Sequence, residues 1–365
     1  MPPNLPSLQP ISAFPELAAA PLKVERGADL RALNTFGIMA RARAYVQIHA
    51  LQHLIELRQL LAQDAELAAL PRLVIGGGSN LLLLGDVHGL VVHMCAEGMQ
   101  NAGEDSDYRY LRAAAGSNWH ALVEWSLQQG APGLENLALI PGTVGAAPIQ
   151  NIGAYGVELK QVLHSVTVYD WNSGEVVVLD NADCAFGYRD SVFKHVWRER
   201  GLVLELCLAC PKDWRAQTGY GDLAAELAQA GIDAPNAQQV AAAVCAIRRR
   251  KLPDPAKLGN AGSFFKNPVV TRAQRTALQT VWPDLVSYLQ SDGKYKLAAG
   301  WLIDRAGWKG RRMGAAGVHE HQALVLVNHG GASGAEIAAL AAAIQTDIQG
   351  KFGVKLEMEP VTAGG

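Results

Sequence analysis

An uncharged stretch near the middle of the chain, Pro141-Gly-Thr-Val-Gly-Ala-Ala-Pro148, runs directly into Ile149-Gln-Asn-Ile-Gly-Ala-Tyr-Gly156. Its first eight positions hold no charge and five small residues. Backbone of this kind lets a large flat ligand approach closely and turns its N–H groups toward that ligand. The alternative is a buried irregular connection, whose polar backbone groups would still need partners. The stretch therefore favours a ligand held mainly by backbone.

A second glycine stretch, Gly76-Gly77-Gly78-Ser79-Asn80, follows the apolar run Leu73-Val74-Ile75. Consecutive glycines expose N–H groups that can cradle phosphate. A tight turn between two strands explains the same residues equally well. The pattern is not a Rossmann fingerprint, because position 81 is leucine instead of a third glycine, and no P-loop lysine follows. A dinucleotide bound here would imply a non-Rossmann fold.

The periodicity around these stretches predicts a mixture of strands and helices without strict alternation, which is typical of an α+β fold. Strands are expected at 45–48, 73–75, 90–92 and 354–359, with a strand-rich segment from 108 to 212. Helices are expected between Leu51 and Pro71, over 119–129 and 238–250, and after a capping box formed by Ser333 and Glu336.

The composition indicates a globular protein of two or three domains, with 365 residues, 49% hydrophobic and 18% charged. A formal net charge of −2 predicts no general attraction to nucleic acid or to a membrane. The N-terminal 22 residues do not resemble a signal peptide, and no apolar run reaches the roughly 18 residues needed to span a bilayer. We expect a soluble cytoplasmic protein without membrane insertion.

Cysteine and histidine patterns predict neither a redox centre nor a metal site. Five cysteines are too few for a disulfide framework. Cys207 and Cys210 have CxxC spacing but follow a strand-like run, so we interpret them as structural. His319 and His321 lack a third and fourth ligand in the sequence.

Three segments carry candidate catalytic groups. In 187–191, Arg189 offers a planar fork suited to a carboxylate, although a structural pair with Asp190 is equally acceptable. In 260–268, Ser263 suits proton donation, because no nucleophile elbow surrounds it; an incidental serine in a turn is the alternative. In the expected last strand, Glu359 lies on the same face as Glu357. A functional glutamate is one interpretation of this pair, and an exposed strand face is the alternative.

Together these segments resemble the UDP-N-acetylenolpyruvoylglucosamine reductases of bacterial cell-wall synthesis, from Leu33 to Glu359. The motifs are specific in combination: Gly76–Asn80, Gly133–Gly145, Gln150–Gly156, Gly187–Ser191, Gly262–Pro268 and Leu297–Asp304. The resemblance implies a two-part, non-Rossmann FAD-binding unit of the PCMH type, followed by an α+β substrate-binding domain. The domains expected are an N-terminal extension at 1–30, the FAD unit at 31–214 with subdomains 31–95 and 96–214, and the substrate domain with a C-terminal catalytic strand at 215–365.

The resemblance also implies residue roles. Arg189, Ser263 and Glu359 match the catalytic groups. FAD contacts fall on Gly76, Gly77, Gly78, Ser79, Asn80, Pro141, Gly142, Thr143, Gly145, Ala146, Ile149 and Gly153. Substrate contacts fall on Tyr220, Lys251, Asn267, Tyr288, Lys296 and Gln322. Two departures are visible: Met358 stands where the family usually has proline, and Val361 stands where members commonly place an arginine.

The chemistry implied is reduction of an enolpyruvyl ether linked to a UDP-sugar, with noncovalent FAD and with NADPH as reductant, in peptidoglycan precursor synthesis. A monomer is expected. Tyr220, in a glycine-flanked loop, is expected to close over substrate, the alternative being a tyrosine packed in a core. An oxidase with covalent FAD is disfavoured because 76–80 and 141–156 contain no histidine or cysteine. A non-catalytic sensor is disfavoured by the presence of all three candidate catalytic groups.

Overall fold

The computed structural model describes residues 21–365, so most of the predicted 1–30 extension lies outside the described residues. The strands are β1 Glu25–Asp29, β2 Arg41–Ile48, β3 Arg72–Ile75, β4 Leu81–Leu83, β5 Val87–Met94, β6 Met99–Glu104, β7 Tyr108–Ala114, β8 Gly153–Ala154, β9 Val157–Glu158, β10 Leu163–Asp170, β11 Glu175–Asp180, β12 Gly201–Pro211, β13 Gly259–Ser263, β14 Val269–Val270, β15 Ser287–Leu289, β16 Tyr295–Leu297, β17 Arg312–Met313, β18 Ala316–Val318, β19 Val325–Asn328 and β20 Val361–Ala363. The helices are α1 Leu51–Gln63, α2 Ala65–Ala68, α3 Trp119–Gln128, α4 Gly221–Gln229, α5 Ala237–Lys251, α6 Arg272–Val281, α7 Ala299–Arg305 and α8 Gly334–Phe352.

The chain divides into two compact units. In the described residues the first unit holds 21–28, 42–77 and 88–248, and the second holds 29–41, 78–87 and 249–365. The last boundary between the two compact units thus lies at 248/249. The sequence predicted a boundary between functional domains at 214/215. The assignment of an FAD unit and a substrate domain to those ranges stays a prediction.

The first unit contains two larger sheets. One has the order β1-β2-β5-β3, in which β3 and β5 are parallel, and the other is the antiparallel sheet β11-β10-β12-β7-β6. Val46 and Leu90 from the first sheet lie in one apolar cluster with Leu122 of α3 and Val166 and Leu206 of the second sheet, all without solvent exposure. This core supports the loops at 76–77, 141–153 and 187–191.

The second unit is built from smaller sheets and three helices. Its sheets have the orders β13-β19-β18-β17, β14-β16-β15 and β20-β4. Helix α8 begins with a capping box in which the Ser333 hydroxyl accepts the Glu336 N–H, and its apolar stripe Ile337, Leu340, Ile344 and Ile348 is fully buried. The phenylalanines 264 and 265, directly after Ser263, are equally buried and fix the end of β13.

The α+β class predicted from the sequence is confirmed, as are the helices α3, α5 and α8. The expected helix after Leu51 is divided in two, because Asp64 leaves helical geometry and its side chain accepts the Leu67 N–H to start α2. The expected last strand at 354–359 is wrong: only Met358 forms an isolated bridge there, and the strand itself is β20. Within 21–365 no helix is both long and apolar enough to cross a bilayer.

Candidate functional site

Within the first unit, Gly76 and Gly77 lie against Gly142 and Thr143 of the second glycine-rich loop. A Cβ atom added at Gly76 would lie 2.1 Å from Thr143 Oγ1, and one added at Gly77 would lie 3.3 Å from Gly142 Cα. Real Cβ atoms do not tolerate the first of these distances, so a side chain at Gly76 would force the loops apart. The sequence predicted both loops as ligand-binding elements, and the structure brings them together.

Thr143 provides a test of whether this junction fits a cofactor. Its Oγ1 atom is buried and has no hydrogen-bond partner among the described residues. A buried hydroxyl without a partner is destabilising by about 1–3 kcal/mol. Backbone glycines beside a polar atom that lacks a partner form a cradle suited to a dinucleotide phosphate. The residues present therefore fit FAD.

Arg189 lies in a strained turn. The turn is closed between Gly187 and Asp190 by a 3.0 Å bond from the Gly187 N–H to the Asp190 carbonyl, and Arg189 itself has a φ of +54°. The Arg189 guanidinium donates to the Gly153 carbonyl at 3.1 Å and lies 5.5 Å from the Tyr188 ring centroid. Residues other than glycine keep left-handed backbone only where their surroundings enforce it, often at functional sites. The Asp190 carboxylate contacts His195 at 2.9 Å, so this acid is engaged outside the turn.

Tyr220 lies at the N-terminal cap of α4 with 43% of its surface exposed. Its ring meets that of Tyr155 edge to face, with centroids 5.5 Å apart. The fully buried Asn136 joins the two segments, since its Nδ2 donates to the Tyr155 carbonyl at 2.9 Å and to the Gln217 carbonyl at 2.8 Å. This exposure rules out the interpretation of Tyr220 as a core residue, whereas its closing over substrate stays a prediction.

Sequence reasoning missed Arg248, on the last turns of α5. It is half-buried, and its Nε donates to the carbonyl of Leu139 at 3.2 Å. Burial lowers the pKa of this guanidinium. Residues 248–250 are three consecutive arginines, and nothing in the sequence separates the buried arginine from its solvated neighbours.

In the second unit the chain terminus pairs with the segment that follows Ser263. The Glu359 N–H donates to the Phe264 carbonyl at 2.9 Å, and the Lys266 N–H donates to the Glu357 carbonyl at the same distance. Phe265 and Met358 form the bridge between these two bonds. The antiparallel pairing puts Glu359 opposite Phe264, one residue from Ser263. The backbone segments that carry two of the three predicted catalytic residues are thereby adjacent.

Asn80 holds the same segment from the other side. Its Nδ2 donates to the Glu359 carbonyl at 3.1 Å, and its own carbonyl accepts the Val361 N–H at 3.0 Å. The next residues, Leu81–Leu83, pair in parallel with β20. The sequence predicted Asn80 as a cofactor contact, and the structure adds a role in fixing the backbone of Glu359.

Lys266 is directed toward another acid. Its Nζ donates to Glu357 Oε2 at 3.2 Å, in a pair where the glutamate side chain is 64% exposed. Glu357, which was predicted to share one strand face with Glu359, is thus paired with a lysine at the surface.

The predicted substrate residues of the second unit form two groups. Tyr288 and Lys296 are direct cross-strand partners on β15 and β16. Asn267 Oδ1 accepts the Ala299 N–H at 2.9 Å at the start of α7, and a Cβ added at the adjacent Gly300 would lie 3.4 Å from Gln322 Oε1. Lys251 is the last residue of α5.

Two family models match the chain. Residues 43–180 match an FAD binding domain, and residues 254–363 match the C-terminal domain of UDP-N-acetylenolpyruvoylglucosamine reductase. The relative of that name from Paraburkholderia phytofirmans is 56% identical over 92% of this chain and 96% of its own length. The one from Burkholderia mallei is 57% identical over 91% of this chain and 95% of its own length.

A solved structure has the same fold. The crystal structure of UDP-N-acetylenolpyruvylglucosamine reductase (MurB) from Thermus caldophilus covers 93% of this chain and 99% of its own, with a TM-score of 0.65 and 24% identity. The fold and the matched domains define an FAD-binding oxidoreductase. Within that class, the chain belongs to the UDP-N-acetylenolpyruvoylglucosamine reductase family.

Proposed function

We propose that this protein reduces the enolpyruvyl ether of UDP-N-acetylglucosamine-enolpyruvate to UDP-N-acetylmuramate, with noncovalent FAD and NADPH, for peptidoglycan precursor synthesis. Membership of the reductase family supports the reaction class. The structural observation that supports the proposal is the backbone pairing of Glu359 with Phe264, because the segments that carry the two predicted groups, Glu359 and Ser263, are then adjacent. A serine and a carboxyl group are what protonation next to a developing anion requires.

FAD would be held by the stretches at 76–80 and 141–146, by Ile149 and by Gly153. The Thr143 hydroxyl, which has no hydrogen-bond partner among residues 21–365, would be a donor to it. When bound, FAD supplies the redox chemistry, accepting two electrons from NADPH and passing them to the enolpyruvyl double bond. The absence of histidine and cysteine from these stretches supports noncovalent binding.

Arg189 would bind the carboxylate of the enolpyruvyl group. Reduction of the double bond shifts negative charge toward that carboxylate, and a guanidinium fixed in advance stabilises it without rearranging. The strained turn supports this role. A turn free to relax would lose the φ of +54° at Arg189, so the surrounding residues fix the arginine in place.

Ser263 would give a proton to the substrate carbon beside the carboxylate, as a general acid. Glu359, when protonated, would donate a hydrogen bond to the developing anion, in the manner of a carboxylic acid kept neutral in an enzyme site. The backbone of Glu359 is hydrogen-bonded at both its N–H and its carbonyl, so the position from which its side chain extends is fixed.

The UDP-sugar would be bound by Tyr220, Lys251, Asn267, Tyr288, Lys296 and Gln322, with the two lysines opposite its diphosphate. In this proposal 31–214 form the FAD unit and 215–365 form the substrate domain. The enzyme would act as a cytoplasmic monomer, where NADPH is present.

A visible spectrum of the purified protein tests the proposal. We expect a yellow protein whose flavin is bleached by NADPH. Under argon, the yellow colour should return only when the enolpyruvyl UDP-sugar is added. Acid precipitation should leave the flavin in the supernatant. A colourless protein that does not bind added FAD would overturn the proposal, and flavin retained in the pellet would favour a covalent oxidase.

A further inference from the structure

In the first unit, residues 149–153 lie beside residues 187–191, which carry Arg189. Three hydrogen bonds join them: Ser191 Oγ to the Ile149 carbonyl at 2.7 Å, Asn151 Nδ2 to the Gly187 carbonyl at 3.0 Å, and Arg189 Nη2 to the Gly153 carbonyl at 3.1 Å. One partner in each bond belongs to the uncharged stretch predicted to bind FAD. The turn at 187–191, which carries Arg189, is therefore hydrogen-bonded to residues 149–153 of the predicted cofactor loop.

Asn151 stands out among these contacts because it has no exposed surface and a left-handed φ of +46°. Its Nδ2 donates to Glu158 Oε2 and to the Gly187 carbonyl, both at 3.0 Å. Its Oδ1 accepts the Lys160 N–H at 3.1 Å. Every side-chain polar atom of this asparagine is engaged, so its orientation is fixed from both ends.

The bond to Gly187 acts on the first residue of the turn that contains Arg189. The turn has a strained residue at Arg189, and such a conformation persists only where the surroundings specify it. A small rotation of the Gly187 peptide would be carried through the backbone and along the arginine side chain to its guanidinium. A fixed donor at the Gly187 carbonyl opposes that rotation.

We propose that Asn151 is the positioning residue for Arg189, holding the strained turn so that the guanidinium keeps one place beside the cofactor loop. This inference rests on the proposed function, since the binding of the substrate carboxylate by Arg189 is part of that function. Asn151 also binds Glu158, which caps the short helix at 159–161, so a merely structural role is the alternative to be tested.

The first variant is Asn151→Gly, which permits the left-handed backbone and removes the amide. Misplacement of a group by about 1 Å can lower a rate by roughly 100-fold. We expect flavin reoxidation by the enolpyruvyl substrate to slow by about 10- to 100-fold. FAD content and flavin reduction by NADPH should stay as in the wild type. Asn181→Gly is the matched control, because the Asn181 Nδ2 also donates to two carbonyls, at 2.7 Å, away from the turn.

A double-mutant cycle with Arg189→Ala decides whether Asn151 acts through the arginine. If it does, Asn151→Gly has little further effect on reoxidation once Arg189 is alanine, and the two losses are strongly non-additive. Losses that multiply independently would overturn the positioning role and leave the proposed function intact. If Arg189→Ala alone left reoxidation unchanged, the proposed function would fail first, and this inference with it.

Asn151→Asp provides a second variant of the same size and a pH signature. An ionised aspartate cannot donate to the Gly187 carbonyl and would repel Glu158, whereas a protonated aspartate can donate one hydrogen bond. The reoxidation rate of the variant relative to wild type should therefore rise as the pH falls from about 8 to about 6. Reoxidation as fast as in the wild type at about pH 8, in a folded, FAD-loaded variant whose aspartate is ionised, would contradict the proposal.

Discussion

Ser263 ends strand β13, and the two phenylalanines after it are buried, so its backbone has little freedom to move. Its assigned task begins only after the flavin has been reduced. We therefore expect Ser263→Ala to keep NADPH-dependent flavin reduction and to slow substrate turnover by roughly 10²- to 10⁴-fold, the usual contribution of a general acid. Stopped-flow absorbance follows both half-reactions separately.

Ser106→Ala is a suitable control, since Ser106 is exposed and its hydroxyl donates to the neighbouring Asp107 carboxylate at 3.0 Å. It should leave both half-reactions unchanged. The assignment of Ser263 is wrong if its alanine variant loses reduction by NADPH while prereduced enzyme still converts substrate at the normal rate.

The two cysteines with CxxC spacing give a second prediction at the residue scale. Burial raises the pKa of the Cys207 thiol to about 11 and that of Cys210 to about 12. A thiol with a pKa near 11 is roughly one part in a thousand thiolate at pH 8. The folded enzyme should therefore label very slowly at these positions with a chromogenic disulfide at pH 8. All five free cysteines should react rapidly in denaturant. Fast labelling of Cys207 or Cys210 in folded protein would restore the redox interpretation.

Residue-scale predictions from the sequence had a clear limit. Arg189, Ser263 and Glu359 were selected by residue type and motif, and their roles stay predictions; the structure adds the backbone pairing of Glu359 with Phe264. The hydrogen bond from Asn80 Nδ2 to the Glu359 carbonyl was not predictable, because the two residues are 279 positions apart in the sequence. Local spacing carries no information about such a pair.

At the scale of elements, the segment before α4 is the candidate for motion. Tyr220 is 43% exposed, and its ring meets that of Tyr155 edge to face. A hydrogen bond or ring contact from this tyrosine to substrate would contribute on the order of 1–2 kcal/mol. We expect Tyr220→Ala to weaken the apparent affinity for the UDP-sugar roughly tenfold, with little change in Tm or in the KM for NADPH.

Steady-state kinetics beside calorimetry measures both quantities. An unchanged KM for the UDP-sugar, together with a clear fall in Tm, would show that Tyr220 stabilises the fold instead of binding substrate. Tyr108→Ala is a matched control, because Tyr108 is 41% exposed and stands on β7.

Strand β20 is the second element with a testable role. Its residues pair in parallel with β4, and the Val361 N–H is bound by Asn80 directly after Glu359. Removal of 361–365 should free the Glu359 backbone and slow substrate reduction by about 10-fold or more, with NADPH oxidation by the flavin kept. Removal of 364–365 alone keeps the strand and serves as control. Full activity after the longer truncation would contradict the role of β20.

Elements with local signals were predictable, and those made by distant pairing were not. The capping box at Ser333 and the apolar spacing along α8 gave that helix its bounds. The tail was expected as a strand at 354–359 because apolar and charged residues alternate there. The strand forms later, over Val361–Ala363, because its partner is Leu81–Leu83. Alternation predicts an extended segment, but a strand also needs a partner edge.

At the scale of the whole molecule, composition and length predicted more than one compact unit. They could not predict that 29–41 and 78–87 belong with the C-terminal residues. These segments are recruited by contacts such as the Thr35 N–H to the Gly78 carbonyl at 3.3 Å and the Asn328 Nδ2 to the Phe36 carbonyl at 3.0 Å. The glycine stretch at 76–80 spans the division between units, which no local pattern in the sequence marks.

The last prediction concerns the stability of the whole chain. A ligand that binds only folded protein stabilises it, by about 2.7 kcal/mol at roughly 100 times its Kd. For a chain of this size that is a rise in Tm of roughly 3–4 °C. We expect FAD added to apoprotein to produce such a rise, and riboflavin, which lacks the diphosphate, to produce a much smaller one. The reason is that the glycine stretches offer backbone N–H groups and the Thr143 hydroxyl, which suit phosphate.

Thr143→Val keeps the shape of the side chain and removes its hydroxyl. The variant therefore separates the effect of the hydroxyl on apoprotein stability from its effect on FAD binding. The apoprotein should be as stable as the wild type or more stable, because a buried hydroxyl without a partner has been removed. The FAD-dependent rise in Tm should be smaller, since loss of a hydrogen bond to phosphate weakens binding by roughly tenfold. Differential scanning calorimetry of both proteins, with and without FAD, measures the four values. If the valine variant lost stability as apoprotein yet kept the full rise with FAD, Thr143 would be a structural hydroxyl and not a cofactor contact.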